Sequence, residues 1–195
     1  MTNASAPPEP DTLIAAAQAA QKEGRLPPVH LWNPPFCGDI DMEIRRDGTW
    51  FHEGTPIGRK PLVRLFSTIL KREGDSFFLV TPVEKVGIRV EDAPFVAVDL
   101  EAAGTGREQV VSFTTNVGDR VLAGEDHEIR VVRDETGEPS PYIHVRAGLD
   151  ALIDRKSFYR LVDLGEAHEI DGTDWFGVWS QGVFFPIIPV ADLDV

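Results

Sequence analysis

One cysteine in 195 residues, Cys37, leaves no partner for an internal disulfide. Nothing in the chain needs an oxidising compartment, and a cytoplasmic setting is the expectation. A lone thiol reads as a small turn or core side chain rather than a redox centre. Long apolar runs are also missing, since no stretch approaches the ~18 consecutive apolar residues of a membrane span. The polar start from Met1 to Pro10 lacks the basic-then-apolar pattern of a secretory leader. Bases are scarce, 19 against 32 acids, for a net charge of −13. That field disfavours nucleic acid and anionic membrane as partners.

Catalytic signatures are equally thin. His30, His52, His127, His144 and His168 are scattered, and His52-Glu53 has no second histidine at the zinc-protease spacing, so no metal is expected. Gly177-Val-Trp-Ser-Gln-Gly182 is one residue too long for a nucleophile elbow, which leaves Ser180 as a hairpin residue. Gly104-Thr-Gly106 lacks a third glycine and stands between strands, so it is no dinucleotide fingerprint, and no phosphate-loop pattern occurs. Carboxylate pairs such as Asp39/Asp41 and Asp171/Asp174 are too common in so acidic a chain to single out a reaction. No cofactor is implied, and an enzyme is the less favoured expectation.

What is present is alternation. Residues 1–10 read as disordered, and Asp11 caps a helix running to about Glu23, stopped by Gly24. Pro27-Pro28 and Pro34-Pro35 enforce an extended segment, and Cys37-Gly38-Asp39 reads as a turn. Met42 and Ile44 alternate with polar residues up to the Asp47-Gly48 hairpin signal, and Thr49 to His52 return. A helix over residues 59–72 follows, with Leu62, Leu65, Phe66, Ile69 and Leu70 on one stripe. Strands at 77–81 and 86–90 come next, then strands around Val96–Leu100, Val111–Phe113, Ile129–Val131 and Tyr142–Arg146. Leu149 to Ile153 lead into a second helix, 155–164, capped by Asp154, and a hairpin at Gln181-Gly182 joins the strands at 175–179 and 183–188.

Residues 42–91 and 128–188 therefore both read strand, strand, helix, strand, strand. Arg59, Lys60, Arg64 and Leu65 match Arg155, Lys156, Arg160 and Leu161 at one offset. An internal duplication in a largely antiparallel α+β chain is the expectation. The domains are expected at 1–34 (tail and N-terminal helix), 35–93 and 94–195.

Both helices begin with cations where the macrodipole is already positive, and Lys60/Arg64 and Lys156/Arg160 are like charges at i, i+4. An anion would relieve both penalties. The competing expectation is local neutralisation, by Asp154 in the second helix and by Glu53 or Glu84 in the first. Arg64 and Arg160 are expected to face away from the core.

Trp32-Asn-Pro34, Cys37-Gly38, Asp47-Gly-x-Trp50, Pro56-Ile57-x-Arg59, Leu65-Phe66-Ser67-x-Ile69-Leu70, Thr81-Pro82-Val83-Glu84-Lys85 and Glu91-Asp92-x-Pro94-Phe95 together resemble the bacterial domain-of-unknown-function 1285 family. The likeness runs from about residue 30 to 188 and is densest over 32–95. It implies two related α+β units, the second pleckstrin-homology-like, with a nucleotide-like ligand between them and a role in signalling. On this basis the chain is expected to be a small-molecule sensing module for a phosphate-bearing ligand. Arg59, Lys60, Arg155 and Lys156 would hold the anion, and Trp50 or Tyr159 would flank a ring. The alternatives are a protein-interaction module, favoured by exposed apolar surface around Phe184 and Phe185, and a hydrolase working through carboxylates and His52.

Overall fold

The computed structural model describes residues 9–21 and 25–193. Most of the predicted disordered tail, and the Gly24 helix stop, lie outside the described residues. The chain divides into two units, Met1–Pro94 and Phe95–Val195.

In the first unit, helix α1 (Pro10–Ala20) starts one residue before the expected cap, because Pro10 supplies the fixed φ of a first turn. Its buried side chains, Leu13 and Ala17, lie on the side that packs on helix α2 (Lys60–Thr68). The six-stranded sheet is built from two three-stranded meanders. One is β1 (Phe36–Ile44), β2 (Trp50–His52) and β3 (Thr55–Pro56); the other is β4 (Leu70–Glu73), β5 (Ser76–Val80) and β6 (Lys85–Val90). The order β3-β2-β1-β6-β5-β4 joins them through a parallel β1/β6 pair. Such a parallel junction needs a crossover, and α2 provides it. Met42, Ile44, Trp50, Leu79 and Val86 are buried, and Phe66 of α2 stacks on Trp50 with ring centroids 6.2 Å apart.

Two expectations fail here for local reasons. Cys37-Gly38-Asp39 is no turn: it lies inside β1, where Gly38 takes φ +102° and the register slips between Phe36 and Asp39. A bulge inserts a residue without ending the strand, and its sequence looks like a turn's. The helix over 59–72 ends at Thr68. Leu70, Lys71 and Arg72 belong to β4, where pairing with Phe77–Leu79 replaces helical hydrogen bonds.

The second unit repeats the sheet. The first meander is β7 (Phe95–Ala103), β8 (Val110–Thr115) and β9 (Arg120–Leu122); the second is β10 (Ile129–Arg133), β11 (Pro139–Arg146) and β12 (Leu149–Ile153). The order β10-β11-β12-β7-β8-β9 again joins the first strand of one meander to the last strand of the other, in parallel. The strand order thus matches Phe36–Val90 with Phe95–Ile153, rather than 42–91 with 128–188. The helices do not correspond: α2 links the two meanders of its sheet, whereas α3 (Arg155–Val162) follows the last strand of the second sheet. From α3 the chain enters a separate three-stranded sheet of β13 (Glu166–Ile170), β14 (Thr173–Ser180) and β15 (Val183–Pro189). Helix α3 rests on β7 and β14, with Leu161 fully buried.

The buried Ser180 hydroxyl fastens the end of β14 to the six-stranded sheet. It donates to Ala123 O at 2.7 Å and accepts from Val111 N–H at 2.9 Å. Ser180 is thus a structural pin at the hairpin.

Candidate functional site

The two basic helix starts differ more than their sequences do. In α3 the Asp154 carboxylate accepts the Ser157 N–H at 2.7 Å, so the helix end already holds an anion of its own. Arg155 reaches along its helix to Tyr159, donating from Nε to the phenol oxygen at 3.0 Å, with the guanidinium 5.6 Å from the ring centroid. That pair is a direct product of i, i+4 spacing. Tyr159 is more than half exposed, and Arg155 and Lys156 are exposed.

Helix α2 has no such cap. Arg59 stands at the N-cap with no side-chain hydrogen bond to the helix, Lys60 follows, and Pro61 occupies the first turn. Arg59, Lys60 and Arg64 are exposed, and among the described residues none has a carboxylate partner. Neither Glu53 nor Glu84, the expected neutralisers, is paired with them; one Glu84 oxygen is buried without a hydrogen bond. Trp50 is 1% exposed and stacked on Phe66 with its Nε1–H unpartnered, so its ring belongs to the core and is not offered to a ligand. The sequence-predicted residues therefore form an uncapped cluster, Arg59, Lys60 and Arg64, in the first unit, and a capped one, Arg155, Lys156 and Tyr159, in the second.

Arg160 is exposed, as expected of a residue facing away from the core, but it is paired. Its guanidinium donates to Asp99 at 2.6 Å and also to Leu100 O. This hydrogen bond from Arg160, with a second from Leu100 N–H, holds the Asp99 carboxyl below its ordinary 3.8. A carboxyl whose folded-state pKa is depressed adds stability above its unfolded value and loses it as pH falls through the folded one. Arg160→Ala should therefore flatten the fall of the urea midpoint below about pH 4, with parent and variant converging at the acid end. Equal slopes for the two proteins through that window would show the pair to be inert.

Among the described residues no cluster of three His, Cys, Asp or Glu side chains is placed to hold a metal ion, and no helix is long and apolar enough to cross a membrane. Cys37 is half-buried, with its thiol donating to Pro35 O at 3.4 Å.

The chain matches two family models: "Domain of unknown function (DUF1285), N-terminal domain" over residues 27–93, and "Protein of unknown function (DUF1285), C-terminal domain" over residues 94–187. A crystal structure of a DUF1285 family protein from Silicibacter pomeroyi DSS-3 is 64% identical, covering 97% of this chain and 99% of that one, with a TM-score of 0.84. A second, from Shewanella baltica OS155, is 30% identical over 63% of this chain and 90% of that one, with a TM-score of 0.51. No curated protein matches. This chain is a two-domain α+β protein; it belongs to the DUF1285 family.

Proposed function

We propose that this protein is a small-molecule sensing module whose ligand is phosphate-bearing and nucleotide-like, with a role in signalling. The observation that supports this is the uncompensated charge of Arg59, Lys60 and Arg64. In a chain of net charge −13, three neighbouring cations at an uncapped helix start have no carboxylate partner among the described residues. Free amides, dipole and side-chain charge then favour an anion together. Arg155 and Lys156 of the second unit are a weaker candidate for an anion, because Asp154 already satisfies part of that helix end. The matching strand orders support a duplicated origin of the two sheets, and the pleckstrin-homology-like character of the second unit belongs to the same reading.

The test is a thermal-shift screen of mononucleotides, dinucleotides and cyclic nucleotides. A ligand at about a hundred times its dissociation constant stabilises the native state by roughly 2.7 kcal/mol, or about 5–11 °C in Tm for a chain of this size. Lys60→Gln should leave the empty protein at least as stable and shrink the shift strongly. Lys156→Gln should shrink it less. If no phosphate compound moves the melt and Lys60→Gln melts below the parent, the cations are structural and the proposal fails.

An interaction module is the second reading. The surface around Phe184 and Phe185 does not favour it, because Phe185 is buried and Phe184 packs against His168 and Trp179. Leu26, Leu31 and Val83 of the first unit, each at least half exposed, do favour it. The hydrolase reading gains no observation: Asp47, Glu73, Asp99 and Asp134 are all held below their ordinary values by hydrogen bonds, and among the described residues His52 has no carboxylate partner.

A further inference from the structure

The outer face of the first unit's sheet is not flat. Strand β6 alternates, with Val86 and Ile88 buried and Lys85 and Arg89 on the opposite face, where Gly87 stands between them. Gly87 pairs with Asp39 of β1 on one side and Phe78 of β5 on the other, so a missing side chain lies mid-sheet. Over it opens a hollow of about 850 Å³, formed within this one unit. That volume is in the range of small-molecule sites. Phe36 and Phe78 wall it edge to face, with centroids 6.0 Å apart, and Phe36 is 55% exposed.

The charges around the hollow are already matched, with one exception. Lys85 is drawn to Glu73 at 3.0 Å, with its ammonium 4.8 Å from the Phe78 ring centre. Arg89 goes to Asp41 at 2.8 Å and to Glu43 at 3.8 Å. Glu91 accepts the Arg46 N–H at 2.7 Å, and Asp75 lies 3.7 Å from Arg72. Asp39 is left over. Its exposed carboxylate sits directly above Gly87, so close that a Cβ there would lie 1.9 Å from Oδ1, and among the described residues it has no hydrogen-bond or ion-pair partner. The bulge that displaces the register of β1 at Asp39 is what carries the carboxylate over the glycine.

We propose that this hollow is a binding site for a small organic cation, an ammonium or guanidinium on an apolar stem. An unpaired carboxylate beside an exposed phenyl ring offers such a head both a charge-assisted hydrogen bond and a cation–π contact. The space left by the missing side chain at Gly87 is taken by the Asp39 carboxylate itself, and the Phe36 and Phe78 rings offer the stem an apolar wall. The four lining carboxylates Asp39, Glu43, Asp75 and Glu91 outnumber the cations Lys85 and Arg89, so the local field excludes anions. This site is separate from the cations of α2 and stands or falls independently of the phosphate reading.

Agmatine is the probe, titrated into the full chain by calorimetry and by NMR chemical-shift mapping. Saturable binding is expected, with the largest shifts at the amides of Asp39, Gly87 and Phe78. Asp39→Asn should weaken it about tenfold or more, which is about 1.4 kcal/mol. Phe36→Ala should weaken it about two- to fivefold. Gly87→Ala should weaken it too, because Gly87 does not need a positive φ and the new methyl displaces the Asp39 carboxylate. Glu101→Gln, which removes one charge from the second unit, should leave the affinity unchanged. The proposal is overturned if agmatine gives no saturable signal, if its shifts map elsewhere, or if Asp39→Asn and Glu101→Gln bind it equally well.

Discussion

Leu161→Ala is expected to lower the unfolding free energy by roughly 2–5 kcal/mol. The side chain is fully buried where α3 meets β7 and β14, so its loss removes contacts with two sheets and leaves a void that regular structure cannot close. Chains of this size hold only about 5–15 kcal/mol in total. At ~2–4 °C per kcal/mol, the melting temperature should drop by roughly 4–20 °C. Leu65→Ala in α2 should fall at the lower end, since Leu65 keeps 8% exposure. Leu161→Met preserves volume and should cost less than about 1.5 kcal/mol. Arg64→Ala, on the exposed side of α2, should be nearly neutral. If Leu161→Ala melted within about 1 °C of the parent, the packing of α3 described above would be wrong.

Ser180→Ala tests the pin between the two sheets of the second unit. The hydroxyl is the acceptor for the buried Val111 N–H and one of two donors to Ala123 O. The other donor is Gln181 Nε2, at 3.0 Å. Removing the hydroxyl therefore orphans one group, the Val111 amide, at a cost of roughly 1–3 kcal/mol. Gln181→Ala alone should cost less, because Ser180 still serves Ala123 O. The double variant leaves that carbonyl with neither donor, so its cost should exceed the sum of the singles by about 0.5–3 kcal/mol. Urea denaturation measures the three differences, and hydrogen exchange at the Val111 amide gives an independent readout. Strict additivity, with Val111 still protected in Ser180→Ala, would mean that the hydroxyl is not the fastening.

Much of the local structure is written in neighbouring residues. The Asp47-Gly48 hairpin, the alternation of β6, the Asp154 cap and the apolar stripe through Leu65 and Phe66 are all set within a few residues of each other, by turn geometry and by period. So is the Arg155/Tyr159 pair, one helical turn apart. Tertiary structure decided the rest. Leu70 continues the helical stripe, yet Leu70 to Arg72 form β4 because the partner strand beside them offers ladder hydrogen bonds and a place at the sheet edge. Leu149 to Ile153 read as an approach to a helix, yet they form the strand that closes the second sheet against β7, a partner far earlier in the chain. The repeat itself was visible as a count of elements. Its true phase was not, because strand order depends on which meander ends meet, and no local signal encodes that. The same holds for the sites. The basic character of Arg59 and Lys60 is plain in the sequence, but their lack of carboxylate partners among the described residues appears only once the surrounding acids are placed. The hollow over Gly87 was hidden completely: a glycine in a strand, a carboxylate on a bulge and a phenylalanine beside a proline become one site only when β1, β6 and β5 lie side by side.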